Sequence, residues 1–197
     1  MIRPFAPAFL LALAMPAVAA APTQPGTVRV RLETSKGPIT IALETKKAPI
    51  TAGNFLRYVD DRRLDGTTFY RAARTTNAPK YGFIQGGISH SYTRMLNPIP
   101  HEPTSKTGIH HVDGTISMAR DAPGTATGDF FITVGAAPAM DASKGDPGFA
   151  AFGHVVAGMD TVHRILAAPT VKQTGIGDMK GQMLTTPVTI TSAHRVN

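Results

Sequence analysis

The chain has 197 residues, 42% of them apolar and 17% charged, with no cysteine and a net charge of +7. That length suits one domain with a sizeable core, and the lack of cysteine excludes a disulfide framework. The basic residues are scattered, and the densest patch, Asp60-Asp61-Arg62-Arg63, cancels itself. The charge therefore reads as a solvated surface, with no nucleic-acid partner.

In chain order, "MIRPFAPAFLLALAMPAVAAAPTQPG" carries one early positive charge at Arg3, a short apolar centre, and small residues at Ala17 and Ala19. This is the pattern of a secretory signal peptide, cleaved after Ala19 or Ala20. The apolar run falls short of the roughly 20 residues of a membrane span, and no basic stop-transfer cluster follows it. Residues 1–20 are expected to be removed, leaving a protein without stable membrane insertion. A cysteine-free exported chain suits a bacterial periplasm.

Period-two alternation then predicts strands over 27–33, with Val28, Val30 and Leu32 inward, and over 37–44, with Ile39, Ile41 and Leu43 inward. "TSKG" between them reads as the turn of a hairpin. Over 48–66 the period changes. Ile50, Phe55, Leu56 and Val59 define one face of a helix with Thr51 as its N-cap. Further strands are expected near 67–72, 83–87, 114–120, 129–135, 149–157 and 187–196. A second helix fits 158–167, where Met159, Val162, Ile165 and Leu166 recur and Pro169 closes the run. With 19 Gly and 16 Pro, the chain turns often. Eight short strands and two helices are enough to close a barrel, which removes exposed sheet edges.

Other signals carry less. His110 and His111 are adjacent, so on a strand they would point to opposite faces and could not chelate together. No helix carries a spaced H-E-x-x-H pair, and no metal or other cofactor is expected. "DASKGDPG" from Asp141 resembles the start of a calcium loop, but its twelfth position is Phe152 where a bidentate glutamate is needed. Ser, His and Asp are all present without a nucleophile-elbow pattern around any serine, so a hydrolase has no support.

Six blocks, "APITAGNFLRYV", "LDGTTFYR", "FIQGG", "DGTISMAR", "TATGDFFITV" and "FAAFGHVVAGMDTVHRI", stand in an order that resembles the cyclophilins, in particular their exported bacterial branch. The likeness covers 27–196 as one domain. It implies a mainly β fold, a closed eight-stranded antiparallel barrel capped by two helices. The implied activity is peptidyl-prolyl cis–trans isomerisation, acting as a monomer on proline-containing segments of folding proteins.

Carried over residue by residue, Arg71 in "FYR" matches the family's catalytic arginine, and Gln85 in "FIQGG" the glutamine that holds the substrate backbone. Phe131 matches the floor of the proline pocket, and Phe83, Met140 and Phe149 its walls. Ala119 and Arg120 match a segment whose main chain grips the peptide. Three departures stand out. Thirteen residues separate Arg71 from Gln85, several more than the family usually has, so "ARTTNAPKYG" is expected as an extra loop beside the active face. Asp129 replaces a glutamine, to pair with Arg71 or to compete with substrate for it. Ala139 stands where relatives often carry a large aromatic residue, so the rim should be open. The alternative reading is an impaired barrel that binds extended or proline-containing segments as a chaperone or envelope-assembly partner.

Overall fold

The structure, a computed structural model, describes residues 26–197 except His90, with the backbone alone for Asp178. The expected signal peptide lies outside the described residues. Eight antiparallel strands form the barrel: β1 (Val28–Thr34), β2 (Ile39–Leu43), β3 (Thr67–Thr75), β4 (Ala78–Gly87), β5 (Thr115–Met118), β6 (Phe130–Val134), β7 (Ala150–Ala157) and β8 (Met183–Val196). Their order around the closed sheet is β1-β2-β7-β5-β6-β4-β3-β8. Closure leaves the body of the sheet without an open edge.

Five of the six inward positions read from alternation, Val30, Leu32, Ile39, Ile41 and Leu43, have no exposed surface, while Val28 at the start of β1 is half-buried against the core. An aromatic cluster fills the barrel, with Phe130 edge-on to both Phe55 and Phe69 at ring separations of 5.3 and 5.6 Å. Such pairs contribute about 0.5–1.5 kcal/mol beyond the area they bury.

Phe55 belongs to helix α1 (Pro49–Asp60), which packs Ala52, Phe55, Leu56 and Val59 against the barrel. The helix begins earlier than predicted: Ala48 is its N-cap and Pro49 opens it, where a missing N–H is no loss. Ile50 is 38% exposed. Five residues at 3.6 per turn put it about 140° from Phe55, off the buried stripe. Thr51 serves the helix start differently. Its backbone N–H and its hydroxyl both donate to the buried Glu102 carboxylate, each at 2.7 Å. A carboxylate there also complements the positive end of the helix dipole.

Two helices were expected, and three α-helices are present among the described residues. The additional one, α2 (Thr104–Thr107), is a single polar turn closed by Gly108 at φ 69°, too short and too polar to show a helical period. The third, α3 (Met159–Leu166), buries Val162, Ile165 and Leu166 as the pattern implied.

The largest correction concerns the segment after Arg71. It is not a loop. β3 continues to Thr75, Thr76 and Asn77 turn, and β4 starts at Ala78, so the extra residues lengthen a hairpin. Pairing of β4 with β6 begins only at Gly82. Pro79 therefore lies where β4 meets β3 alone, an edge position that tolerates its missing donor. Gly82 marks the branch point at φ +141°, where a Cβ would come within 2.0 Å of the Ala73 carbonyl oxygen. β8 likewise starts at Met183, earlier than expected. Its register against β3 jumps from Phe69↔Val188 to Arg71↔Met183, which leaves Pro187 outside the ladder.

Candidate active site

Strand alternation alone would send Tyr70 and Arg71 to opposite faces of β3. Instead both reach Gln85. Phe69 pairs with Gly86 and Arg71 with Gln85, so Tyr70 is the extra residue of a bulge. Arg71 Nη1 donates to Gln85 Oε1 at 2.8 Å, and Gln85 Nε2 donates to the Tyr70 hydroxyl at 2.9 Å. On its other side, Arg71 Nε donates to Gln182 Oε1 at 2.8 Å. Two amide oxygens thus set the plane of the guanidinium, whose carbon lies 4.9 Å from the centre of the Phe83 ring. Gly86 permits the close strand crossing beneath: a Cβ there would lie 2.8 Å from the Phe69 ring and 2.7 Å from the Thr68 carbonyl oxygen.

Phe131 forms a buried floor. Phe83 packs against it at 5.3 Å and Phe149 edge-on at 5.4 Å. Met140 completes the wall, its carbonyl accepting from Phe149 N–H at 2.9 Å. Arg120 lays its guanidinium over the outer face of Phe149, 4.9 Å from the ring centre, and donates to the Gly148 carbonyl. Ala119 N–H donates to the Asp129 carbonyl at 3.0 Å, which ties the segment after β5 to the start of β6.

Asp129 is buried. Its Oδ1 accepts from Ser89 N–H at 2.8 Å, and the carboxylate also accepts the Tyr70 hydroxyl. Burial, followed by the nearby Asp129 charge, raises the Tyr70 pKa well above the usual phenol range. Tyr70 therefore stays neutral and links Asp129 to Gln85. The nine residues singled out from the sequence are brought together by a chain of contacts running from Arg71 through Gln85 and the aromatic floor to Arg120.

Sequence reasoning missed three things here. Gln182 lies 111 residues from Arg71 with no flanking motif. Tyr70 was hidden by the period-two rule that the bulge breaks. The third is beneath the floor, where His111 stacks on Phe131 at 5.9 Å with ring planes 11° apart. Contrary to expectation, His110 and His111 lie outside any strand and turn to the same carboxylate: His110 Nδ1 is 2.9 Å from Asp141 Oδ2 and His111 Nδ1 is 2.6 Å from Asp141 Oδ1.

A carboxylate only accepts, so Nδ1 of His111 carries the proton, and Nε2 takes the Ser117 hydroxyl at 2.9 Å. Burial depresses the His111 pKa, against the opposing pull of Asp141. Partial burial works to raise the Asp141 pKa, but hydrogen bonds from His111 and His110 outweigh it and hold the carboxyl below its ordinary range. The Ser-His-Asp sequence of contacts has hydrolase geometry, yet Ser117 has no exposed surface for a substrate to reach. It is a strut under the pocket. Among the described residues, no group of three or more His, Asp or Glu side chains is placed to hold a metal ion. A separate groove of about 480 Å³ beside Asp60, Asp65 and Arg195 contains none of the site residues.

The fold and this site define a closed barrel that places an arginine beside a cluster of packed aromatic side chains. Comparison with known proteins agrees. The sequence model of the family described as cyclophilin type peptidyl-prolyl cis-trans isomerase/CLD matches residues 29–195. The chain belongs to that family.

It is 36% identical over 120 residues to a peptidyl-prolyl cis-trans isomerase of Acinetobacter baylyi, a stretch covering 60% of this chain and 61% of that protein. It is 34% identical over 144 residues to the isomerase cyp18 of Streptomyces antibioticus, covering 71% and 81% of the two chains. The crystal structure of a cyclophilin type isomerase from Cryptosporidium parvum superposes with a TM-score of 0.69 at 20% identity, covering 87% of this chain and 98% of the other. The same fold is matched in a crystal of that protein obtained in the presence of the dipeptide Ala-Pro, with a TM-score of 0.69 at 19% identity, covering 86% and 99%.

Proposed function

We propose that the chain is a peptidyl-prolyl cis–trans isomerase that accelerates rotation about Xaa-Pro bonds in exported proteins as they fold. One observation carries the reading: a guanidinium anchored in plane by Gln182 and Gln85 stands over Phe83, which packs with Phe131 and Phe149 into an aromatic cluster. The Ala-Pro dipeptide used with the Cryptosporidium relative is the ligand class such a site would take.

The chemistry needs no covalent step. The barrier to rotation is lost amide resonance, about 18–20 kcal/mol. Before proline both isomers are populated, and they exchange over tens to hundreds of seconds. A catalyst must favour the twisted state over both planar ones. Phe131, Phe83 and Phe149 would hold the pyrrolidine ring, and Gln85 with the Ala119–Arg120 main chain would fix the peptide on either side. In the twisted state the prolyl nitrogen becomes pyramidal and recovers its lone pair. Arg71 would then donate to an acceptor that the planar amide lacks, a preorganised contact that costs little reorganisation. Asp129 is engaged by Ser89 and Tyr70 in orienting Gln85. That favours the isomerase over an impaired binding module.

The N-terminal segment would export the protein to the periplasm, where it would act as a monomer on client chains. The test is exchange NMR on a short Ala-Pro peptide with the mature protein. Acceleration supports the activity, and binding without acceleration would replace it with a binding role. Detection in a periplasmic extract, with residues 1–20 removed, tests the address.

A further inference from the structure

The lengthened β3–β4 hairpin walls a groove beside the aromatic cluster. The groove, of about 420 Å³, opens between the hairpin and the segment following β6, with Tyr81 on one side and Val134 and Pro138 on the other. Arg71, Phe83 and Met140 line it as well, so it shares those residues with the proposed proline site. We propose that this groove is a subsite for a large apolar side chain, best an aromatic one, on a residue next to the proline of the bound segment. The assignment rests on the isomerase reading above.

Three features shape it for that ligand. The hairpin is keyed onto the opposite rim: Tyr81 lies across Gly135 so closely that a Cβ there would be 2.6 Å from the ring. Gly135 also has φ +83°, so the position excludes side chains twice over. Two hairpin cations, Arg71 and Arg74, also line the groove, and the charges of Arg74 and Lys80 are engaged. Arg74 Nε donates to the Leu166 carbonyl at 2.7 Å and its Nη2 to the Ala168 carbonyl, at the C-terminal end of α3, and Lys80 Nζ sits 5.0 Å from the centre of the Tyr81 ring. Ala139 also lines the groove and contributes only a methyl group.

The volume lies within the range that encloses small apolar ligands. An aromatic side chain brings the largest apolar area at low entropic cost, and Arg71 at the shared wall adds a cation for its face.

The experiment compares exchange of Ala-Ala-Pro-Ala-Ala with Ala-Phe-Pro-Ala-Ala and Ala-Ala-Pro-Phe-Ala, using the mature protein and its Tyr81→Ala and Ala137→Leu variants. One removes a wall and the other fills the groove. The expected result is a kcat/KM about tenfold higher for one of the two Phe peptides, the scale on which apolar pockets discriminate. That advantage should shrink to about twofold or less in both variants. Equal rates on all three peptides, or a preference that survives both substitutions, would overturn the subsite. If no peptide is accelerated at all, the isomerase reading fails by itself. The groove is then judged by amide shifts: changes at Tyr81 and Ala137 induced by a Phe peptide and not by the Ala peptide uphold it, and their absence overturns it.

Discussion

Gln182 lines the groove beside Phe83 and Met140 and accepts the Arg71 Nε hydrogen bond, so its removal tests what that anchor contributes. In Gln182→Ala the Nε hydrogen bond of 2.8 Å is lost while Nη1 keeps Gln85. Hydrogen bonds to charged groups are worth about 1.5–3 kcal/mol, and the partly exposed position puts this one at the lower end. At 1.36 kcal/mol per decade, that loss corresponds to about a tenfold fall in kcat. KM should move less than threefold, because the aromatic floor that binds the ring is untouched. Exchange NMR over a range of Ala-Ala-Pro-Ala-Ala concentrations separates the two constants. The ¹⁵Nε–¹H resonance of Arg71 reports the anchor directly and should shift and exchange faster with solvent. A variant with wild-type kcat and an unchanged Arg71 resonance would refute the argument that orientation of the guanidinium limits the rate.

Two further outcomes follow from buried polar groups. Glu102→Ala strands the Thr51 N–H and hydroxyl at the start of α1, and the two lost hydrogen bonds should cost about 3 kcal/mol. Urea denaturation should show a lower midpoint with unchanged slope, and a loss below about 1 kcal/mol would mean that water replaces the carboxylate. His111 titrates below its ordinary value when folded. Between the unfolded pKa of about 6.5 and that lower folded value, the unfolded chain binds more protons, so stability falls as pH is lowered through this window. Asp141 and His110 face the same ring, and Asp141, with its own pKa lowered, adds loss only at more acid pH. Comparing urea midpoints at pH 7.5 and 5.5, His111→Gln should lose less than the wild type does. Equal losses would assign the acid sensitivity to another group.

Much of this molecule could be read before any coordinates. The alternating strands carry their own period, and inward residues such as Val30 and Ile41 are buried as the pattern requires. Arg71, Gln85 and Phe131 sit in blocks whose order identified the family. What escaped shares a physical cause: each feature depends on a partner far away in sequence or breaks a local rule. The hairpin extension lacked a signal because "ARTTNAPKYG" is polar on both faces, projects beyond the core, and carries Pro79. Tyr70 was misplaced because a bulge shifts the period by one residue. Glu102 caps a helix 51 positions upstream, and nothing near either residue announces it. His110 and His111 converge because they leave the strand geometry that would have parted them.

In the proposed mechanism a planar, anchored fork of donors at position 71 stabilises the twisted amide. The most direct measurement is exchange NMR of an Ala-Pro peptide at saturating concentration with wild type, Arg71→Lys and Arg71→Ala. Lysine keeps the charge but has no Nε–H to donate to Gln182 and no planar fork. Marked acceleration by wild type, a fall of at least about tenfold in Arg71→Lys, and near-background exchange in Arg71→Ala, all with peptide still bound, are what the account expects. Full activity in Arg71→Lys would reduce the role of the residue to its charge. Full activity in Arg71→Ala would contradict the account altogether.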